Sequence, residues 1–586
     1  MKFYTLVVCS TLIAVAAPLL GGGECEAAEA ARRPNVILIM TDDQGYGDVG
    51  AHGNTMIQTP HLDRLAAEST RLTNFHVDPT CAPTRAALMT GRFSVRTGVW
   101  HTIMGRSLLR RDEHTLANAF ADNDYTTGIF GKWHLGDNYP YRPHDRGFDE
   151  VFIHGGGGVG QTPDYFGNDY FDDTYFHNGQ PEQVEGYCTD VWFDRALDFI
   201  AESREQPFFC YLATNAPHSP YRVDAKYSQP YVDQGVPRNM ANFYGMITNF
   251  DENLGRLLAR LDELQLAENT ILIFMTDNGT AAGVDPNRSA GAGWRGFDAR
   301  MRGKKGSAYD GGHRVPFYIR WPAEFETTRE IDQLAAHIDV LPTLAELCGF
   351  QEMPEVALDG TSLAPLLHGD ADDWPERTLV VDSQRIEHPE KWRQSAVMAQ
   401  RWRLVNGGQL FDIQADPAQK RDVAAEHSVV VAELRSEYEA WWRSVSKRFD
   451  EMCPIVLGHE AENPTLLTGH DWHTPIKQGP WHQGLVRNEE FFGNGPWSVE
   501  VSQPGRYAIT LYKQPPYMDH PLEAAAARLK IADIDDRQKP KRDAASVRFE
   551  VTLPEGETQL QTWLTDAATG KTRGAYYVEV ERLGPA

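Results

Sequence analysis

The stretch NVILIMTDDQG, residues 35–45, and its counterpart TILIFMTDNG, residues 270–279, decide how the chain is read. Each is an unbroken apolar run that ends in oxygen-bearing side chains. A continuous run bounded by polar turns marks a strand covered on both faces, whereas alternation marks one with a wet face. Both runs are therefore expected as central strands of an α/β sheet. In open α/β sheets, ligands gather beyond the carboxyl ends of the strands. Asp42, Asp43, Asp277 and Asn278 all stand at that end.

Working outward, Thr59-Pro60-His61-Leu62-Asp63 reads as a helix start with Pro in the first turn. Helical spacing returns over 188–205, 240–266 and 334–348, and Phe208–Leu212 and Val315–Ile319 look like strands. This alternation predicts one large α/β domain, a mixed sheet sandwiched by helices, over 31–375. Over 376–450 the texture predicts a small α+β subdomain with one packed helix. Beyond a loop-rich stretch after Pro454, period-two runs such as WSVEVS, YAITLY and SVRFEVTL predict a β-sandwich module over 451–586. That module either binds carbohydrate or covers the catalytic unit.

The first 30 residues read as a signal peptide: Lys2, an apolar region over Phe3–Leu20 and an Ala28-Glu29-Ala30 cleavage site. A secreted or periplasmic protein with no membrane span after cleavage is expected. The formal net charge of -26 disfavours a nucleic-acid partner, which needs clustered Lys and Arg. Seven cysteines are present; Cys9 and Cys25 fall in the signal, leaving Cys81, Cys188, Cys210, Cys348 and Cys453. An odd number in an exported chain leaves at least one with another use. His154-GGGGVG fits a G-x-G-x-x-G pattern, but no helix pattern follows. A nucleotide fingerprint needs that helix, so a mobile loop beside a pocket is expected instead.

Asp42, Asp43, Asp277 and Asn278 are hard oxygen donors, suited to Ca²⁺ or Mg²⁺ rather than Zn²⁺. Turn-capping is the plainer alternative for such residues. Lys132 and His134 in GKWHLG are expected on one face of an extended segment. His218 and Lys305 follow other strands or lie in a Gly-rich loop. Together these basic groups and a dication suit a sulfate or phosphate oxyanion.

CAPTRAALMTGR, residues 81–92, resembles the C-x-P-x-R…T-G signature of type I, formylglycine-dependent sulfatases. TDDQGYGD, GKWHLG, APHSP, TDNG and GKKGSAYDGGHR also resemble motifs of that family, in its order, across residues 34–450. The resemblance is to bacterial arylsulfatase A-like members, and it implies the alkaline phosphatase-like fold. It implies that Cys81 is converted to formylglycine by a maturation enzyme. Asp42, Asp43, Asp277, Asn278 and modified Cys81 would hold the cation, usually Ca²⁺. Arg85 would hold the formylglycine hydrate, and Lys132 and Lys305 would bind sulfate oxygens. His134 would contact the geminal hydroxyls, and His218 would serve the leaving group. Lys304 stands where the family has Gly, and Lys305 is aligned with the functional position.

The implied reaction is hydrolysis of a sulfate ester, of a glycan or an aryl alcohol, through a covalent sulfo-enzyme. Asp277 is a candidate base for the attack, His134 for release, and His218 or Lys305 a candidate acid. A formylglycine phosphodiesterase or phosphonate monoester hydrolase shares the signature. An inactive carbohydrate-binding relative is the alternative from another class.

Overall fold

Residues 35–41 form a strand with every side chain buried, and the reason is its two-sided packing. Val36, Leu38 and Met40 enter one hydrophobic core, while Ile37 and Ile39 enter another across the sheet. The Thr270–Thr276 strand divides likewise, Ile271, Ile273 and Met275 against Leu272 and Phe274. The two pair in parallel from Asn35↔Thr270 to Thr41↔Thr276, so their carboxylate-bearing ends meet.

The structure is a computed structural model that describes Met1 and residues 33–285, 294–325, 328–370 and 374–586. The stretch expected to be a signal peptide lies, Met1 aside, outside the described residues. The ten-stranded sheet runs in the order Arg329–Ile331, Thr70–Leu72, Phe317–Arg320, Thr270–Thr276, Asn35–Thr41, Phe208–Ala213, Thr126–Lys132, Glu150–His154, Thr174–His177, Gln180–Gln183. Its five central strands, Thr270–Thr276 to Glu150–His154, are parallel; antiparallel pairs extend both sides, and Arg329–Ile331 closes one margin parallel to Thr70–Leu72. Helices cover both faces. Cys188–Ser203 and Arg238–Glu263 give Trp192, Phe193, Met246 and Phe250 to one core. Cys81–Thr90, Leu116–Asp122 and Val340–Leu347 give Ala86, Phe120 and Leu344 to the other.

The helix expected from 334 starts only at Val340, because Ala335–Ala336 pairs as a strand with Phe75–His76. Pro342 has no N–H to give and fits only a first helical turn. Leu379–Asp382, Ser395–Met398, Trp402–Val405 and Gln409–Asp412 form an antiparallel sheet, and Ser428–Val445 packs on it through Val431, Leu434 and Tyr438.

From Ile455 onward, a six-stranded and a four-stranded sheet enclose one core containing Trp472, Trp497, Ile509, Leu529, Phe549 and Val578. Two of its strands, Ala524–Ile531 and Ile534–Gln538, had no clear period-two signal. The first begins with four alanines, good helix formers. It is held extended because Ala527, Leu529 and Ile531 alternate into the sandwich core. Leu108, Tyr141 and Phe166 of the α/β part join that same core. Among the described residues no helix is long and apolar enough to cross a membrane.

Candidate active site

Alternation along an extended strand would send Asp42 and Asp43 to opposite sides. Asp43 instead adopts a left-handed backbone, φ 68°, which turns its carboxylate back beside its neighbour's. Its N–H donates to Asp277 Oδ1 at 3.1 Å, locking the two strand ends together. Gly279 is required where TDNG turns: a Cβ there would lie 1.9 Å from the Gly311 carbonyl oxygen. The close approach brings the 302–313 loop, with Lys305, against the carboxylates.

Cys81 is the first residue of the Cys81–Thr90 helix, all ten residues of which are buried. Pro83 lies in the first turn, where no intrahelical N–H is needed. Gly91 ends the helix in a left-handed cap, φ 64°. Arg85, four residues after Cys81, shares its face of the helix. Its Nε and Nη2 donate to Asp277 Oδ2 at 3.2 and 2.8 Å, and Nη1 donates to the Lys132 carbonyl at 3.0 Å. Cys81 forms no disulfide among the described residues.

Lys132 ends the Thr126–Lys132 strand, and its Nζ lies 2.7 Å from Asp42 Oδ2, both side chains fully buried. The expected alternation does not carry His134 to the same place, because the strand stops at Lys132. His134 turns in through a left-handed backbone, φ 65°. Its Nε2–H donates to the Thr102 carbonyl at 2.8 Å, which leaves the lone pair on Nδ1. Nδ1 is buried and has no partner among the described residues. Lys305 Nζ pairs with Asp43 Oδ1, whereas Lys304 is exposed. His218 donates Nδ1–H to the Ser219 carbonyl at 2.6 Å, so Nε2 faces Asp43 Oδ2 at 3.9 Å.

Three formal cations, Arg85, Lys132 and Lys305, therefore meet three carboxylates, Asp42, Asp43 and Asp277. Burial, reinforced by Asp277, pushes the Asp42 carboxyl well above the usual carboxylate range. Burial acts upward on Asp43 too, but Lys305 and His218 outweigh it and hold Asp43 low. For Asp277, burial is likewise outweighed by Arg85 and Lys132. Both Asp277 oxygens accept hydrogen bonds, Oδ1 from the Asp43 N–H and Oδ2 from Arg85, so the residue anchors the cluster. Burial and Lys132 push His134 well below its ordinary value, keeping it neutral. Burial lowers His218 to about 3, against the pull of Asp43.

Asp42 Oδ1 and Asn278 Oδ1 are buried with no hydrogen-bond partner among the described residues. Asn278 spends its Nδ2 on Asp43 Oδ1 at 3.0 Å and on the Gly279 carbonyl, which leaves its oxygen turned away from donors. Ligand atoms of Asp42, Asp43 and His218 lie within 4.8 Å of one another. Orphaned buried oxygens are costly unless something positive meets them. The donor set, mostly carboxylate and amide oxygen, fits a hard divalent cation.

Three further contributors adjoin the site, and the sequence pointed only to the glycine loop among them. The glycine loop is pinned, not mobile: Gly155 N donates to Asp164, Gly156 N to Asp137 and Gly157 N to Gln161. A Cβ on Gly157 would lie 2.3 Å from His134 Cε1, and one on Gly158 would lie 3.2 Å from His218. Thr102 acts through its carbonyl, which no side chain announces. His470 of the C-terminal module stacks obliquely near His134, ring centres 6.4 Å apart.

Residues 34–350 match the sulfatase family pattern, and residues 293–442 match one described as N-sulphoglucosamine sulphohydrolase, C-terminal. The chain is 30% identical over 380 residues to the N-acetylgalactosamine-6-sulfatase of Canis lupus familiaris, spanning 58% of this chain and 67% of that protein. It is 30% identical over 491 residues to an N-acetylgalactosamine-6-O-sulfatase of Bacteroides thetaiotaomicron, spanning 70% and 93%. Among solved structures, Ps i-CgsB in complex with k-i-k-neocarrahexaose superposes with a TM-score of 0.64 at 28% identity, covering 72% of this chain and 95% of that one. The fold, the site and these likenesses agree: the chain belongs to the sulfatase family, enzymes that hydrolyse sulfate esters.

Proposed function

We propose that this sulfatase acts outside the cytoplasm on sulfated saccharides, with Cys81 matured to formylglycine and a divalent cation, Ca²⁺ or Mg²⁺, in the carboxylate cluster. One observation carries the reading: Cys81 and Arg85 share the face of a fully buried helix whose Arg85 is ion-paired to the cluster that holds the orphaned Asp42 and Asn278 oxygens. The saccharide class is supported by the relatives named N-acetylgalactosamine-6-sulfatase and by the neocarrahexaose in the structural neighbour. Export rests on the signal-like first 30 residues. We take residues 376–450 and 451–586 as the subdomain and accessory module of the catalytic unit at 31–375.

Asp42, Asp43, Asn278 and Asp277 would hold the cation, with modified Cys81 beside them and His218 Nε2 within reach of the same oxygens. When bound, the cation supplies Lewis acidity and offsets sulfuryl charge. The hydrated aldehyde supplies two hydroxyls on one carbon, one to take the sulfuryl group and one whose proton loss frees it. Arg85, fixed by two bonds to Asp277, holds this hydrate against the cluster. Lys132 and Lys305 turn from their carboxylates to the sulfuryl oxygens, whose charge they match. The oxygen–sulfur bond of the ester breaks as the hydroxyl–sulfur bond forms, the attacking hydroxyl's proton passing to Asp277, giving the covalent sulfo-enzyme. The leaving oxygen takes a proton from Lys305, or from the imidazolium form of His218, which Asp43 favours against the effect of burial. His134 Nδ1 then accepts the proton of the second hydroxyl, the carbon–oxygen bond to sulfate breaks, and the aldehyde re-forms. Its neutral state and fixed tautomer suit that role.

The test combines sulfate release from a panel of sulfated saccharides and 4-nitrophenyl sulfate with mass analysis of the Cys81 peptide. Formylglycine at Cys81 and preference for a saccharide sulfate are expected. A clear preference for a phosphodiester over the matched sulfate ester would instead favour the phosphodiesterase reading. Activity retained in full by Cys81→Ala would sink the mechanism.

A further inference from the structure

Both family patterns end by residue 442, yet the segment 468–487 of the C-terminal module reaches the two loops that enclose His134. The first loop is Thr102–Gly105. His134 Nε2–H donates to Thr102, and two residues on, Met104 N donates to the His470 carbonyl at 2.9 Å. Met104 and Gly105 both take left-handed backbones, φ 68° and 63°. A Cβ on Gly105 would lie 2.6 Å from His473 Nε2, so the turn is pressed onto the module. Glu387 clamps the same place, accepting from Arg106 at 2.9 Å and meeting His473 Nδ1 at 2.9 Å.

The second loop is the glycine loop and its continuation, which packs on His134 through Gly157. Gln483 Nε2 donates to the Gln161 and Asp164 carbonyls at 3.0 and 3.1 Å. Thr162 N donates to the Trp481 carbonyl at 3.2 Å, and Tyr577 Oη donates to the Thr162 carbonyl at 3.1 Å. The gripping segment is itself fixed to the sandwich. Gly469 N donates to the Tyr576 carbonyl at 2.8 Å, and Trp497 Nε1 donates to the Thr468 carbonyl at 2.7 Å.

His470 sits where these restraints converge. It is 3% exposed, and Asp471 Oδ1 accepts from its Nδ1 at 3.2 Å. Its Nε2 is buried without a partner among the described residues, as is Nδ1 of the neighbouring His134. A buried polar nitrogen left unpaired beside a second one is a cost that packing alone would have removed by an apolar residue. We propose that the His470–Asp471 turn makes the C-terminal β module part of the active site, with His470 a positioning residue whose ring and backbone hold the His134 ring and the Thr102–Gly105 turn in place. The inference rests on the reading of His134 as the group that accepts the hydroxyl proton.

The test uses the full chain, with turnover normalised to the formylglycine content of Cys81. The probe is 4-nitrophenyl sulfate, or the fastest saccharide sulfate of the panel where that ester is not cleaved. His470→Ala is expected to lower kcat roughly 10- to 100-fold with KM within about twofold, the effect of misplacing a reacting group by about 1 Å. Because release is the step that slows, the intact protein is expected to gain the mass of one sulfuryl group during turnover. His470→Gln, which keeps bulk and polarity, is expected to recover part of kcat. Gly105→Ala, on the other side of the contact, is expected to reproduce the kcat loss. Values of kcat within about twofold of wild type in both His470→Ala and Gly105→Ala overturn the inference. So does a loss that tracks only the unfolded fraction in a thermal melt, with no sulfated protein accumulating. A wild-type protein that cleaves no sulfate ester removes the sulfatase reading instead, which separates the two failures.

Discussion

Arg85 shows what single residues decide here. Its side chain is 1% exposed and pairs with Asp277, which is fully buried. Removing one partner of such a pair strands the other charge, at a cost of about 3–5 kcal/mol. Arg85→Ala is therefore expected to lower the urea midpoint of unfolding and to abolish sulfate release together. Arg85→Lys is not a rescue, since one ammonium cannot make the two bonds to Asp277 and the third to Lys132. His218 allows a finer test. If it assists the leaving oxygen, His218→Ala should slow a saccharide sulfate by roughly 100-fold or more while sparing 4-nitrophenyl sulfate, whose leaving group needs little proton help. Equal losses on both esters would assign His218 to the cation instead, consistent with its Nε2 facing Asp43. The identities of these residues were legible in the sequence because carboxylates, Lys and Arg after buried strands have few cheap explanations. The twists at Asp43 and His134 were not, since a left-handed backbone at a non-glycine residue is set by its surroundings.

At the scale of elements, the buried strands were the clearest signal. Ile37 lies in the middle of Asn35–Thr41 and is wholly buried. Ile37→Ala is expected to cost about 2–5 kcal/mol, read as a shift in denaturant midpoint with an unchanged slope. The glycine loop was visible as a run but its purpose was not. Four glycines in a row read as freedom, and here they give close approach. Gly157→Ala would drive a methyl group into the His134 ring. A fall in kcat of roughly 100-fold, with the melting temperature little changed, is expected from steady-state kinetics and calorimetry. The Ala524–Ile531 strand was missed for the opposite reason. Its local preference is helical, and only the alternation of Ala527, Leu529 and Ile531 into a core built from distant strands overrides it.

At the scale of the whole molecule, the proposed cation site and the C-terminal module both join distant segments. A ligand that binds only the folded chain stabilises it, by about 2.7 kcal/mol at a hundredfold excess over its Kd. Chelation is therefore expected to lower the melting temperature. Restoration by Ca²⁺ or Mg²⁺, followed by scanning calorimetry, would show which ion the Asp42–Asn278 cluster prefers. A chain ending at residue 450 is expected to be insoluble or inactive, because Leu108, Tyr141 and Phe166 would lose their place in the module's core and the Thr102–Gly105 turn its support. Soluble expression followed by a sulfate-release assay measures this. The sequence by itself determined the family, the central strands and the cast of ionisable residues, because hydrophobic continuity and motif spacing are local properties of the chain. Tertiary structure alone decided that Asp277 holds Arg85 by two hydrogen bonds, that Asp43 and His134 turn inward, and that the C-terminal sheets reach the site. Those outcomes depend on backbone carbonyls, left-handed turns and contacts between segments hundreds of residues apart, none of which leaves a mark on neighbouring residues.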